Sequence, residues 1–204
     1  MEDLLYEAAV EYQKLRNITY DIKIGRKGKA YDILLRFPYE SFFHLAGLQH
    51  LDDLTFPSTN KERIYKMILE QKITIDFLKK SPNYEKYYIE ERLGNLYLIE
   101  SILENNQITY LINPKKYAKY TSIKAHYLIE HKELVPDIFY LFIKKVLDSE
   151  IQNDHRGCSF FKKHDTDFTK GTAKAVLLLM NKIIRVSKEE TVAEEIYRNP
   201  SYKE

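Results

Sequence analysis

Apolar and polar positions change their rhythm three times along the chain. Leu4, Leu5, Ala8, Ala9, Tyr12 and Leu15 recur at i, i+3 and i+4 spacing, which predicts an amphipathic helix over 2–16. Ile18, Tyr20, Ile22 and Ile24 then alternate with polar residues, the period of a strand with one wet face. A Gly-containing turn over 25–29 and a second strand over 30–37 complete a β-hairpin. Phe37-Pro38 ends it, because the residue before proline is held extended and proline brings no N–H to a ladder. A helix follows to about Leu51, apolar almost all round yet holding His44, Gln49 and His50.

The middle of the chain predicts more helices. Thr59 or Asn60 can cap one over 61–71, and Thr74 another over 75–80. After the Ser81-Pro82-Asn83 break, Leu93, Leu96, Ile99 and Leu103 lie on one side of a long helix over 84–105. Beyond Asn105-Asn106 the rhythm becomes that of strands, over 107–112, 123–130, 137–146, 158–163 and 175–186. Residues 187–204 are polar and are expected to form a tail or a short helix. The order predicts a single α+β domain over 1–186. In it an antiparallel β-sheet of four to six strands packs against the N-terminal and middle helices.

Composition narrows the function classes. Lys plus Arg is 32 against 30 for Asp plus Glu, so the net charge of +2 decides little. Its distribution says more. Residues 85–104 hold five Glu against Lys86 and Arg92, a balance of −3, whereas 107–146 hold seven Lys against three acids, a balance of +4. A basic sheet beside an acidic helix suits a polyanionic partner on one face, and ordinary surface charge accounts for it equally. The single cysteine, Cys158, excludes an internal disulfide and any thiolate cluster, so a reducing compartment is expected. No run approaches the roughly 20 apolar residues of a membrane span, and the acidic start is wrong for a secretory signal. We therefore expect no membrane partner and a cytoplasmic location. The GRKGK turn matches neither a P-loop nor a dinucleotide fingerprint, so no nucleotide cofactor is expected.

Candidate chemistry centres on histidine. His44 and His50 are six apart, which is not the i, i+4 spacing that puts two imidazoles on one metal, and no metal site is expected. At 100° per residue His44 falls between Leu48 and Leu51, in a stripe facing the core or a cleft floor. It is thus either a buried histidine satisfied by a backbone carbonyl or a general acid/base. His50, at the helix C-terminus, is favoured there by the helix dipole and is the adjoining candidate. Ser159, Lys162, Lys163, His164, Thr169, Lys170 and Lys174 concentrate hydroxyls and cations near the last strands. With Arg36 and the turn residues Arg26, Lys27 and Lys29, they could grip phosphates. Tyr127 and Tyr140 could stack bases, although strand aromatics more often pack.

The block YDIKIGRKGKAYDILLRFPYESFFHLAGLQHL resembles a family of phage and mobile-element proteins. These are the phage-associated nuclease-like proteins of the barnase–EndoU–colicin–RelE group, in its fourth phage family. The resemblance rests on Phe43, His44, Leu45, Gly47, Leu48, Gln49, His50 and Leu51. It rests also on Asp167, Phe168, Thr169, Lys170 and Gly171 before a final strand. It implies a helix packed on an antiparallel sheet, with 60–105 as a helical insertion. It further implies a metal-independent RNA endonuclease or RNA-binding protein acting in the host cytoplasm. His44, Thr169 and Lys170 become the catalytic candidates; Arg36, Ser159, Lys162 and His50 become the substrate-binding ones. The alternative is a non-catalytic protein that binds a host protein through the acidic helix 84–105.

Overall fold

The computed structural model describes residues 3–105, 108–119, 121–131 and 137–203, with the side chain of Lys116 set aside. Helix α1 (Leu4–Arg16) starts where Asp3 Oδ1 accepts the Tyr6 N–H at 3.1 Å, and it buries Leu5, Ala8, Ala9, Tyr12 and Leu15. That is the face its apolar spacing defines. Strands β1 (Ile18–Arg26) and β2 (Lys29–Arg36) pair antiparallel from Thr19↔Arg36 to Arg26↔Lys29. Their turn is Lys27-Gly28, both with positive φ (50° and 74°), the backbone that matches strand twist in a two-residue hairpin.

The expected helix to Leu51 is broken in two. Helix α2 covers Tyr39–Leu45, and a single 3-10 turn covers Leu48–His50. Gly47 separates them at φ 77°, where a Cβ would lie 2.8 Å from Arg92 Cδ. Glycine here meets two demands, a left-handed backbone and a close approach. Four further helices follow: α3 (Lys61–Leu69), α4 (Ile75–Leu78), α5 (Asn83–Lys86) and α6 (Ile89–Asn95). Asn60 caps α3 by accepting the Arg63 N–H at 3.0 Å. At α4 the Thr74 side chain makes no cap, and Asp3 Oδ2 accepts the Ile75 N–H at 2.8 Å instead. Helix α7 (Leu98–Glu104) completes the group. The expected long helix 84–105 is therefore three short ones. Tyr88 breaks it with a left-handed backbone that no Gly or Pro announces.

The remaining elements are β3 (Ile108–Leu111), α8 (Pro114–Tyr117), β4 (Tyr127–His131), β5 (Phe139–Lys145), β6 (Asp154–Lys162), β7 (Ala173–Arg185) and β8 (Thr191–Arg198). Asn106 and Gln107, where the first of these strands was expected to begin, lie outside the described residues. The strand order β1-β2-β6-β5-β4-β3-β7 closes on itself because β7 also pairs with β1, from Ile18↔Ile184 to Gly25↔Val176. This corrects the expected sheet of four to six antiparallel strands. The fold is a closed, mixed seven-stranded barrel with one extra strand. The mixed character comes from β2 and β6, which pair parallel at Leu34↔Asp154 to Arg36↔Arg156. Alternation along a strand tells which face is buried, not which of its edges are bonded, so closure left no mark in the pattern.

The eighth strand is the second correction, since the segment expected as a tail or short helix contains β8, paired along the outer part of β7. Its residues are mostly exposed, so its polarity resembles that of a tail. One continuous core joins the buried faces of α1, α2, α3, α6 and α7 to those of the strands. Tyr12 packs edge-on against Phe37, Phe42 and Tyr65, and its hydroxyl donates to Pro38 O at 2.8 Å. A second cluster of Tyr117, Leu128, Tyr140 and Phe142, with Phe161 and Phe168 against it, borders the site described next.

Candidate active site

A cleft of about 660 Å³ opens between α2, the turn before α6, and the β5–β6 face. Helix α2 contributes His44, and the 3-10 turn contributes Gln49 and His50. Residues 86–88 and Arg92 form the wall beside that turn. The floor is Lys144 of β5 with Cys158, Ser159, Phe161 and Lys162 of β6, and the rim is 121–124 with 164–166 and Phe168. A bulge shapes the floor. Phe142 faces Ser159 while Ile143 faces Gly157, so Cys158 is the extra residue of β6. At Gly157 a Cβ would stand 3.1 Å from Leu45 Cδ2, so the missing side chain lets α2 sit close on the strand.

His44 is half-buried, and its partner is not a backbone carbonyl. Lys61 Nζ, from the first turn of α3, lies 2.7 Å from His44 Nε2. With the ammonium as donor, Nε2 accepts and the ring proton sits on Nδ1. Burial first, then the positive charges of Lys61, Lys144 and His50, push the His44 pKa down to about 4. The imidazole is therefore neutral at pH 7. Lys61 itself is lowered by burial and by Lys144. His50 is lowered by burial and by Arg92, with Asp52 opposing; its ring stacks on Tyr87 at 4.3 Å and 11°. Across the cleft His164 stacks on Tyr88 at 4.0 Å and 16°, while its Nε2 meets Glu91 Oε1 at 3.1 Å.

Arg92 braces these walls. Its side chain is buried, with Nε donating to Tyr87 O at 3.1 Å and Nη1 to Phe160 O at 3.2 Å and, at 3.5 Å, to Ser159 Oγ. Burial lowers its pKa to about 10, which leaves it charged at neutrality. Cys158 is pushed up to about 12 by burial, so it presents a thiol and not a thiolate. Lys61, Lys86, Lys124 and Lys144 form no ion pair with a carboxylate among the described residues. The cleft thus carries positive charge that these carboxylates do not neutralise.

Four of the seven candidates from sequence meet in this cleft: His44, His50, Ser159 and Lys162. Lys162 is already engaged by Asp137 at 2.9 Å. Arg36 lies elsewhere, in a two-pronged pair with buried Asp154 at 2.9 and 2.6 Å. Thr169 and Lys170 fall just outside the lining. Asp167 Oδ1 accepts the Thr169 hydroxyl at 2.7 Å and its N–H at 3.0 Å, a turn that brings Phe168 into the wall. Tyr140 is fully buried, and Tyr127 packs on His155, so neither expected stacking tyrosine faces the cleft. The residues that pattern reasoning missed are Lys61, Lys144, Arg92, Tyr87 and Tyr88. None left a signal of its own, and Lys144 is one of two adjacent lysines that end β5.

The acids of 84–105 are largely spent internally. Glu100 and Glu104 pair with Lys182, Glu91 with His164, and Glu90 accepts from the Tyr84 hydroxyl. Among the described residues no three His, Cys, Asp or Glu side chains group as a metal site, and no helix is long and apolar enough to cross a membrane.

Fold and site together define a closed mixed barrel with one aromatic cleft that gathers imidazoles and ammonium groups. The family model of the phage-Barnase-EndoU-ColicinE5/D-RelE like nuclease 4 proteins matches residues 4–196, and the chain belongs to that family. It is thus a phage nuclease-like protein. No curated protein and no solved structure matches it.

Proposed function

We propose that the protein is a metal-independent RNA endonuclease whose general acid/base is His44. The observation that carries this reading is the grouping of His44, Lys61 and Lys144, with a neutral imidazole beside ammonium groups that no carboxylate claims. Cleavage through the ribose 2′-hydroxyl needs a base for that proton, a cation for the phosphorane charge and an acid for the departing 5′-oxygen. A phosphodiester in the cleft draws the Lys61 ammonium off Nε2 of His44. Its own negative charge raises the basicity of the ring. The freed nitrogen takes the 2′-hydroxyl proton, and the 2′-oxygen attacks phosphorus. Lys144, whose charge reaches both His44 and Lys61, holds the phosphorane and supplies a proton to the 5′-oxygen. Products are a 2′,3′-cyclic phosphate and a 5′-hydroxyl.

The test is cleavage of a defined RNA with a chelator present, alongside the same sequence as DNA. RNA is cut to cyclic-phosphate ends and DNA is left whole. His44→Ala lowers the rate by roughly 10²–10⁴-fold, the usual size of a general acid–base contribution. Wild-type rates in a folded His44→Ala protein would remove His44 from the chemistry.

A further inference from the structure

Tyr88 is the one aromatic residue among the described residues held in the left-handed region, at φ 53° and ψ 43°, where a large side chain is disfavoured. It stands before α6 yet makes no side-chain cap. The residue is 50% exposed in the cleft lining, and its ring lies flat against the His164 imidazole. Strained backbone holding an open aromatic beside a site points to a ligand. The neighbouring pair shows the contrast. Tyr87 stacks on His50 in the same face-to-face manner but is half-buried, whereas the Tyr88 stack faces solvent.

We infer that Tyr88 is a stacking platform for an unpaired nucleobase and that His164 holds the place of that base in the free protein. This rests on the reading of the cleft as an RNA site, and names its substrate as single-stranded. At 4.0 Å the two rings leave no gap for insertion, so the base displaces His164 from Tyr88. His164 is poised to move, being held by one pair to Glu91 on the next turn and sited past the end of β6. A volume of about 660 Å³ exceeds what a phosphate group alone fills and suits a nucleotide. Stacking also tolerates any base, because every base offers a π-face. A base paired in a duplex cannot reach the platform, so the slot selects unpaired strands.

A single-stranded deoxyoligonucleotide carrying one 2-aminopurine tests this without being cut, since it lacks the attacking hydroxyl. Wild-type protein quenches its fluorescence as the probe base stacks, and the same probe in a duplex stays unbound. Tyr88→Phe keeps the quenching. Tyr88→Ala abolishes it and weakens binding by roughly 5–100-fold, the range for loss of one stacked base. Tyr88→Asn also abolishes quenching, while its tolerance of the left-handed backbone raises the thermal midpoint by about 2–4 °C. Equal quenching by wild type and Tyr88→Asn, or equal affinity for the duplex, overturns the platform. The probe reports stacking whether or not RNA is cleaved. Quenching without cleavage of RNA therefore sinks only the catalytic reading, and cleavage without quenching sinks only the platform.

Discussion

Two lysines on one barrel sit in opposite surroundings. Lys182, on β7, is 11% exposed and meets Glu100 at 2.5 Å and Glu104 at 2.7 Å from α7. Glu104 in turn accepts the Tyr20 hydroxyl at 2.9 Å. Burial alone would lower the Lys182 pKa, yet its bonds to the two carboxylates hold it above the usual value. Lys144, on β5, faces the cleft with no carboxylate partner among the described residues, and its charge lowers both His44 and Lys61. The first lysine fastens a helix to the barrel. The second adds a positive charge that no carboxylate among the described residues neutralises. Net charge does not separate these roles; local neutralisation does.

Exchanging each lysine for methionine sharpens the contrast. Lys144→Met is expected to cut RNA cleavage by roughly 10²–10³-fold, the usual cost of losing a donor to developing charge. Its thermal midpoint should hold or rise, because repulsion with Lys61 is relieved. Loss of stability without loss of rate would place Lys144 with Lys182 after all. Lys182→Met should do the reverse, costing about 1–3 kcal/mol in denaturant titrations, below the full buried-pair value because the glutamates are partly solvated. Its folded fraction should cleave normally.

A further effect is one of pH. His44 binds its proton near 6.5 when unfolded and only near 4 when folded, so between those values the unfolded chain holds more protons. Stability therefore falls as pH drops from 6.5 towards 4, and is unaffected by this group above 6.5. His50, His126 and His155 are shifted in the same direction and add to the slope. Replacing His44 by Gln should flatten the curve of thermal midpoint against pH, and an unchanged slope would deny the desolvated environment of the ring.

How much of this was written in the chain depends on range. The β1–β2 hairpin was legible, because alternation and a glycine turn are local signals. His44 stood out as a polar side chain in an apolar stripe. Its partners Lys61 and Lys144 did not, since an ordinary surface lysine and one that crosses to a cleft look alike in sequence. The long helix was misleading for a related reason. Leu93, Leu96, Ile99 and Leu103 keep helical phase across the break at Leu96-Tyr97, so burial continues while the hydrogen bonds there tighten to i→i−3. Barrel closure depended on which strand edges meet, a choice made between residues far apart.

The parallel pairing of β2 with β6 carries a consequence for timing. Arg36 and Asp154, joined side by side, are 118 residues apart in sequence. The cleft has no floor until β6 has left the ribosome, and the barrel is not closed until β7 has followed. Domains emerge N-terminus first, and contacts this distant form late. A chain that has not yet reached β6 consequently has helix α2 and its histidine but no floor for the cleft. The cleft and the closed barrel are therefore late products of this fold, assembled well after the β1–β2 hairpin and α2 have emerged.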